Sequence, residues 1–357
     1  MPYRKPPKRP EPVLNPPPTD GNLQIHGEAA YEDACATEVL YNLLRSGKLH
    51  EVRGHDVPPW AQYHMKVSDG NRTHSVSNIT FNPIIMAPPN DPATVYTTLL
   101  RFKEAASALG HSVVPACFDM GLLTKALEIV WSHQNELSGV IPIEGGMHFL
   151  MSVFSGIGFL YGDAGLRQLL QDSGVFAVGT TQQILAGRDF DRAVYSLKLT
   201  DEVLNSRFLM NFQKWCEEKG IVIPNEVCAL LESATDLVTV TEPVTHPNVI
   251  TKTMDSIKLN ILPLIQQFRI EGRSVSPTFR FWDDFLTKVM LPLKIYLAST
   301  KKAIWAAHQA SKYELLKLLF ASNRTNYARY MPVLLLLMQQ LPDEVKAAFE
   351  CDQVETV

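Results

Sequence analysis

The sequence lacks the cysteine patterns of zinc sites and of disulfide frameworks. Its five cysteines are scattered, and none stands in Cys-x-x-Cys or Cys-x-x-His spacing. A structural zinc site needs closely spaced thiolate and imidazole ligands, and disulfides need an oxidising compartment. The pattern therefore predicts reduced thiols in an intracellular protein.

Long apolar runs are also missing. The longest, Met331–Met338, is far shorter than the ~20 residues that a helix needs to cross a bilayer. The amino terminus is rich in proline and basic residues and has no apolar core, so we expect no secretory signal. These absences predict a protein that has no membrane span.

A strong charge of either sign is absent as well. The formal net charge is −4, so contact with nucleic acid would depend on local basic patches. One such patch lies in residues 1–22, where prolines predict a disordered arm. The arm is interpreted as a nuclear-import signal, as a segment that contacts the DNA backbone, or as a solvated tail. The first two interpretations favour the nucleus over the cytoplasm.

The stretch Ser112–Leu166 has the strongest pattern in the chain. Val113–Phe118 and Gly139–Ile143 are short apolar runs that predict buried strands, and each is followed by apolar residues at helical spacing. Such a unit places parallel strands inside a layered domain, with polar groups at their carboxyl ends. Asp119 and the segment Glu144–His148 occupy those positions, which predicts a site there.

The preceding residues extend this pattern into a larger α/β domain. Gln62–Ser68 and Ser75–Met86 have strand character, and Asp91 followed by proline predicts a helix start. This order matches a ribonuclease-H-like (RNase-H-like) fold. We therefore predict an α/β core with a mixed sheet over residues 23–150.

Residues 151–357 are predicted to form a large, mostly α-helical body. The helical segments have irregular lengths and no fixed repeat, which argues against a solenoid. Glycines between Gly156 and Gly165 superficially resemble a phosphate loop, but they lie in or just after a helix, so nucleotide binding is not favoured. We expect this body to be truncated at its carboxyl end.

Several short motifs together resemble an uncharacterised, many-copy family of animal genomes that looks transposon-derived. They span roughly residues 80–355, and their specificity comes from their order. The motifs are Phe118-Asp119, Lys125-Ala126, Glu128-Ile129, Gly145-Gly146-Met147-His148, Asp163-Ala164-Gly165-Leu166, Gly187, Arg192-Ala193 and Asn326 to Pro332. Departures from the pattern include Met120 and Gly121, Met147 and Leu197.

The resemblance implies descent from a mobile element and suggests a comparison with hAT-like transposases. Those enzymes hold three carboxylates on a ribonuclease-H-like sheet, with a helical insertion before the last. Two Mg²⁺ or Mn²⁺ ions ~3.5–4 Å apart bridge the carboxylates and drive phosphodiester chemistry. By this resemblance Asp69, Asp119 and Glu355 are the candidate catalytic carboxylates in chain order, with Asp69 and Asp119 as metal ligands.

Three further residues are candidate binding residues. His148 is placed like the histidine that follows the second acid in such enzymes, and Arg324 and Arg329 could contact phosphate. Each candidate also has a plain structural interpretation. Asp119 fits the cap of a helix, and Asp69 fits a turn residue. Glu355 fits a residue of a frayed chain end, and His148 fits a histidine buried in the core. The arginines fit a solvated helix face, and Arg329 also fits an ion pair between helices.

Two functions follow from these patterns. The first is a degenerate or domesticated DNA transposase-like protein, with DNA as partner and Mg²⁺ or Mn²⁺ as cofactor if it is active. The second is a non-enzymatic intracellular interaction or scaffold protein that uses its helical body. Loss of Mg²⁺-dependent nicking of duplex DNA in Asp119→Ala would separate them.

Overall fold

Helices dominate the computed structural model, which describes residues 27–47, 56–67, 79–240, 247–341, 343 and 345–347. The predicted arm at residues 1–22 lies outside these ranges. The helices are α1 (Glu28–Ser46), α2 (Trp60–Val67), α3 (Pro92–Ala108), α4 (Met120–Ser132), α5 (Gly146–Tyr161), α6 (Arg167–Asp172), α7 (Val178–Leu185), α8 (Phe190–Lys219), α9 (Asn225–Thr239), α10 (Pro247–Asn260), α11 (Leu262–Val275), α12 (Pro277–Phe285), α13 (Leu291–Lys302), α14 (Trp305–Ala321) and α15 (Thr325–Gln339). The strands are β1 (Val114–Phe118) and β2 (Val140–Glu144). A π-helical turn, Leu286–Met290, follows α12, and the segment Gly162–Leu166 after α5 contains a kink at Gly165, whose φ is 121°.

The chain forms two compact units, and each of them joins distant parts of the sequence. Unit 1 comprises residues 79–190 and the described residues from 316 onwards. Unit 2 comprises the described residues between 27 and 67 together with those between 191 and 315. One point at which the chain passes from one unit to the other lies inside α14, after Leu315. The helical character expected for the second half of the chain is confirmed.

The predicted ribonuclease-H-like mixed sheet is wrong. Among the described residues the sheet has two strands, β1 and β2, which pair in parallel. Both of these strands were predicted, but Gln62–Ser68 was wrongly assigned as a strand, since Trp60–Val67 is helix α2. Residues 79–86 of the predicted strand Ser75–Met86 are not in a strand, and residues 75–78 lie outside the described ranges.

Two prolines explain why the sheet is not extended by further strands. The backbone N–H of Val114 donates to Gly139 O at 2.9 Å. Along each strand of a parallel ladder, the N–H groups of alternate residues point toward the partner strand. In the observed register the nitrogens of Pro115 and Pro142 therefore point to the two outer edges. Proline has no N–H to donate, so neither edge offers a complete ladder to a third strand.

Helix α2 forms because its buried side chains follow a helical period. Trp60, Tyr63 and His64 stand at positions i, i+3 and i+4 and are all buried, whereas Met65 is 76% exposed. Pro59, directly before the helix, suits a helix start. The strand character of Gln62–Ser68 is therefore overridden by this helical pattern of burial.

The core of unit 1 forms between the sheet and the helices α3 and α4. Asp91 begins α3 as predicted, because its Oδ1 accepts a hydrogen bond from Ala93 N at 2.9 Å. Apolar side chains from these helices and strands then form one buried cluster. Its members are Val95, Tyr96, Leu99, Ala116, Ala126, Ile129, Leu137 and Val140.

One helical stretch of unit 1, Gly146–Asp172, is long and apolar enough to cross a membrane by length and composition alone. Half of its most apolar window is buried inside the protein, so length and composition are only weak evidence for a membrane span. Close packing explains why residue 158 of this stretch is a glycine. A Cβ on Gly158 would lie 1.9 Å from Leu185 O, so a side chain at this position would collide with α7.

Candidate functional site

Asp119 and His148 lie at the carboxyl ends of the two strands, where the sequence predicted a site. Asp119 precedes α4, and its Oδ1 accepts a hydrogen bond from Leu122 N at 2.8 Å. This is the geometry of an N-cap. His148 lies in the first turn of α5 and is exposed, so it is not the core histidine of the alternative interpretation.

The other two candidate carboxylates, Asp69 and Glu355, lie outside the described residues. In the described part of the chain, no group of three His, Cys, Asp or Glu side chains could hold a metal ion. Asp119 is therefore not part of such a group among the described residues. The Mg²⁺ or Mn²⁺ site stays a prediction from the family resemblance.

The candidate phosphate-binding arginines lie at the start and on the exposed surface of α15. Arg324 precedes the helix and donates from Nη2 to Ser155 O at 3.1 Å, which ties it to α5. Arg329 is exposed. Contact of either side chain with DNA stays a prediction.

Unit 2 contains a buried cluster of charged side chains that the sequence did not suggest. Lys294 Nζ lies 3.0 Å from Glu38 Oε2 and 2.6 Å from Asp201 Oδ2, and all three residues are at most 2% exposed. Asn205 donates from Nδ2 to Asp201 Oδ1 at 3.0 Å. One cation thus bridges two carboxylates from α1 and α8.

Helix α2 brings two more donors to Glu38. Trp60 donates from Nε1 to Glu38 Oε2 at 3.0 Å, and His64 Nε2 lies 2.8 Å from Glu38 Oε1. Trp60 and His64 are one helical turn apart, so both face α1. Glu38 is therefore held by three groups, which fix the position of its carboxylate.

The pairing sets the charge of the cluster. Burial raises the pKa of Glu38, but Lys294 and His64 outweigh it and hold the pKa well below its usual range. Burial lowers the pKa of Lys294, and the two carboxylates reverse this and hold it above its usual range. Burial raises the pKa of Asp201 despite Lys294. Glu38 and Lys294 are therefore charged near neutral pH.

His64 is a neutral hydrogen-bond acceptor. Burial, assisted by Lys302 and Lys294, lowers the pKa of His64 although Glu38 opposes this. An ionised carboxylate can only accept, so the proton of the neutral ring lies on Nε2 and the lone pair lies on Nδ1. Nδ1 is buried and has no hydrogen-bond partner in the ranges that the structure describes.

A cavity of about 170 Å³ lies beside this cluster in unit 2. Half of its lining is aliphatic, from Ala30, Ala34, Ile295, Ala298, Ile304 and Ala307. The other half is polar, from Asp33, Thr37, Glu38, His64, Ser299 and Lys302. Because Asp33 and Ile304 are exposed, the cavity reaches the surface beside them.

The polar groups of the lining offer acceptors and one amine. Thr37 Oγ1 donates to Asp33 O at 2.9 Å, and Ser299 Oγ donates to Ile295 O at 2.6 Å, so both hydroxyl protons are used inside their helices. Burial lowers the pKa of Lys302 to about 8, although Glu38 opposes the shift. Perturbed groups beside an apolar cavity are typical of a functional site.

Sequence reasoning missed this cluster because its members come from four helices that are far apart in the chain. One signal was available. Lys294 is the single charged residue of the apolar run Val289–Ala298, and a buried lysine requires a buried partner. The partners could not be identified without the tertiary structure.

Comparison with known proteins gives one match. A family model described as "Domain of unknown function (DUF8702)" matches residues 59–354. No curated protein matches the chain, and no solved structure matches it.

Proposed function

The chain belongs to the DUF8702 family, and we propose that its unit 2 binds a small, partly apolar organic molecule in the cavity beside Glu38 and His64. The observation that carries this proposal is the cavity itself, whose lining combines aliphatic side chains with the buried side chains of Glu38 and His64. A concave, largely apolar site with a few polar groups is the usual form of a small-molecule site.

The size of the cavity limits the ligand. An apolar cavity of about 150 Å³ holds one benzene molecule, so a cavity of about 170 Å³ suits a molecule of similar size with one or two polar groups. The aliphatic half of the lining would contact the body of such a molecule and remove its surface from water.

The polar half of the lining limits the chemistry of the ligand. The hydroxyls of Thr37 and Ser299 use their protons inside their helices and can still accept, so a matching ligand carries a hydroxyl or amine that donates. Lys302 donates, so a second group of the ligand would accept. Glu38 serves in this site as the residue that fixes the orientation and tautomer of His64.

Phenol and anisole form a matched pair of probes for this proposal. Both fit the cavity by size, but only phenol can donate a hydrogen bond to the hydroxyls of Thr37 and Ser299. We expect phenol to bind with a dissociation constant of about 1 mM or below, and anisole to bind at least tenfold more weakly. The shifts of backbone amide signals of unit 2 during a titration, followed by NMR, measure both affinities.

A cavity-filling variant locates the binding. Ala34 lines the cavity, so Ala34→Leu should abolish the binding of phenol. Ala29 is exposed on the same helix and does not line the cavity, so Ala29→Leu is the matched control. The proposal fails if phenol does not saturate its signals, or if both variants bind it as the native chain does.

Binding of a small molecule does not require catalysis, so it agrees with the non-enzymatic alternative predicted from the sequence. A helical interaction surface, descent from a mobile element, DNA as a partner and a location in the nucleus are separate proposals. They are supported by the sequence patterns and by the family resemblance alone.

A further inference from the structure

Residues 79–86 of unit 1 hold large apolar side chains in water. Phe81 and Met86 are each 94% exposed, and Ile79 and Ile84 are 80% and 84% exposed. One exposed apolar side chain is ordinary, but a cluster of them on neighbouring residues marks an interaction site. These residues give the stretch its strand character in the sequence, although they form no strand in the single chain.

The backbone of the same segment is largely unpaired. Among the described residues, the N–H groups of residues 79–86 donate to no protein group. The carbonyl oxygen of Pro83 accepts a hydrogen bond from Arg101 Nη1 at 2.7 Å, which ties the segment to α3. The segment is therefore held in place while its N–H groups and apolar side chains are available to a partner.

No charged side chain interrupts this part of the sequence. Residues 75–90 contain no Asp, Glu, Lys, Arg or His. A partner that is recognised by charge would need an opposite charge here, whereas two copies of an uncharged segment can approach each other without repulsion. The composition favours a partner surface that is itself apolar and uncharged, and an identical segment meets this requirement.

A lipid surface fits the segment less well than a protein does. Attraction to anionic lipids depends on basic residues beside the apolar ones, and residues 75–90 contain none. Hydrocarbon also offers no acceptor for backbone N–H groups, whereas a second polypeptide segment offers carbonyl oxygens. A protein partner can therefore satisfy both the side chains and the backbone.

We propose that residues 79–86 form the contact between two copies of this chain, whose segments lie side by side around a twofold axis. Each segment then supplies the apolar surface and the backbone groups that the other one lacks. This inference concerns unit 1 and does not depend on the cavity of unit 2.

The size of the cluster agrees with such a contact. At roughly 100–150 Å² for each side chain, the four apolar residues would bury about 400–600 Å² per chain. Each partner in a stable complex buries about 800 Å². The side chains would therefore supply at least half of the interface, and the backbone of the segment would supply part of the rest.

Sedimentation equilibrium of the full chain tests for the dimer. We expect a monomer–dimer equilibrium with a dissociation constant of about 10 μM or below. Phe81→Asp places a charge in the contact on each chain, so dimerisation should be at least tenfold weaker. Phe159 offers the matched control, because it is 65% exposed in α5, outside the segment. Phe159→Asp should dimerise as the native chain does, and circular dichroism establishes that both variants are folded.

Hydrogen–deuterium exchange locates the contact in the native chain, without any substitution. The amides of residues 79–86 gain partners only in the dimer. They should therefore exchange at least tenfold more slowly when the protein concentration is far above the dissociation constant than when it is far below it.

Four outcomes would overturn the inference. The first is a chain that stays monomeric up to about 100 μM. The second is a dimer whose formation leaves the exchange of residues 79–86 unchanged, and the third is a dimer that Phe159→Asp weakens as much as Phe81→Asp does. The fourth is flotation of the monomeric chain with phosphatidylcholine vesicles that Phe81→Asp abolishes, because a lipid surface would then be the partner.

Discussion

The Nε2 atom of His64 lies 2.8 Å from Oε1 of Glu38, and both side chains are buried. Burial lowers the pKa of His64 below 6.5, with Lys302 and Lys294 contributing and Glu38 opposing. The folded protein therefore binds a proton at His64 less readily than the unfolded chain does. Its contribution to stability is present above pH 6.5 and is lost as the pH falls below that value.

We expect the free energy of unfolding to fall between pH ~7.5 and ~5.5 more steeply in the native chain than in His64→Gln. Urea unfolding at several pH values measures both slopes, and the difference between them isolates His64 from the other histidines. Parallel profiles for the two proteins would contradict the prediction.

Lys294 should be essential to the stability of unit 2. Lys294→Met leaves Glu38 and Asp201 buried without their shared cation, so we expect a loss of about 3–5 kcal/mol in the free energy of unfolding. Lys288 offers a matched control, because its side chain is 60% exposed and pairs with Asp284 at 2.8 Å. Lys288→Met should cost about 0–1 kcal/mol.

Chemical denaturation measures both lysine variants. A cost for Lys294→Met no larger than that of Lys288→Met would show that the buried carboxylates find another way to lose their charge.

Gly158 should not tolerate a methyl group. In Gly158→Ala the new Cβ would lie 1.9 Å from Leu185 O, so α5 and α7 must separate, and we expect a loss of about 1–3 kcal/mol or more. Among the described residues, no atom outside the backbone of its own helix and its two chain neighbours lies within 4 Å of a Cβ added at Gly179 in α7. Gly179→Ala should therefore stabilise the protein by about 0.5–1 kcal/mol through helix propensity.

Thermal unfolding of the two glycine variants gives opposite shifts if this packing is correct. A stabilising effect of Gly158→Ala would refute it.

Substitutions of Asp119 separate capping from metal binding. Asp119→Ala removes the hydrogen bond to Leu122 N and should cost about 1 kcal/mol, whereas Asp119→Asn keeps an acceptor and should cost only a few tenths. Unfolding measured with and without Mg²⁺ completes the test. Stabilisation by Mg²⁺ that both variants lose would instead support the metal site predicted from the family resemblance.

Local patterns in the sequence were sufficient for the elements that depend on local interactions. The strands that became β1 and β2, the start of α3 at Asp91 and the helical character of the second half are confirmed. Each depends on periodicity or on a cap within a few residues, which the sequence displays directly.

Long-range relationships could not be predicted in the same way. The short segment of α2 satisfied both a strand and a helix pattern, and only the contacts of Trp60 and His64 with Glu38 decide between them. We predicted too many strands because the register of β1 and β2 determines which edges of the sheet the nitrogens of Pro115 and Pro142 face. The sequence alone does not reveal that register. The buried cluster depends on four helices and was not predicted.

The division into two units has a consequence for synthesis on the ribosome. Each unit combines an early segment with a late one, so neither core can be completed while the chain is still short. Glu38 in α1 leaves the ribosome long before Lys294 in α13, and the two can meet only after the helices between them have been made. Nascent chains therefore expose unpaired apolar helices for much of their elongation, and chaperones would be needed most at that stage.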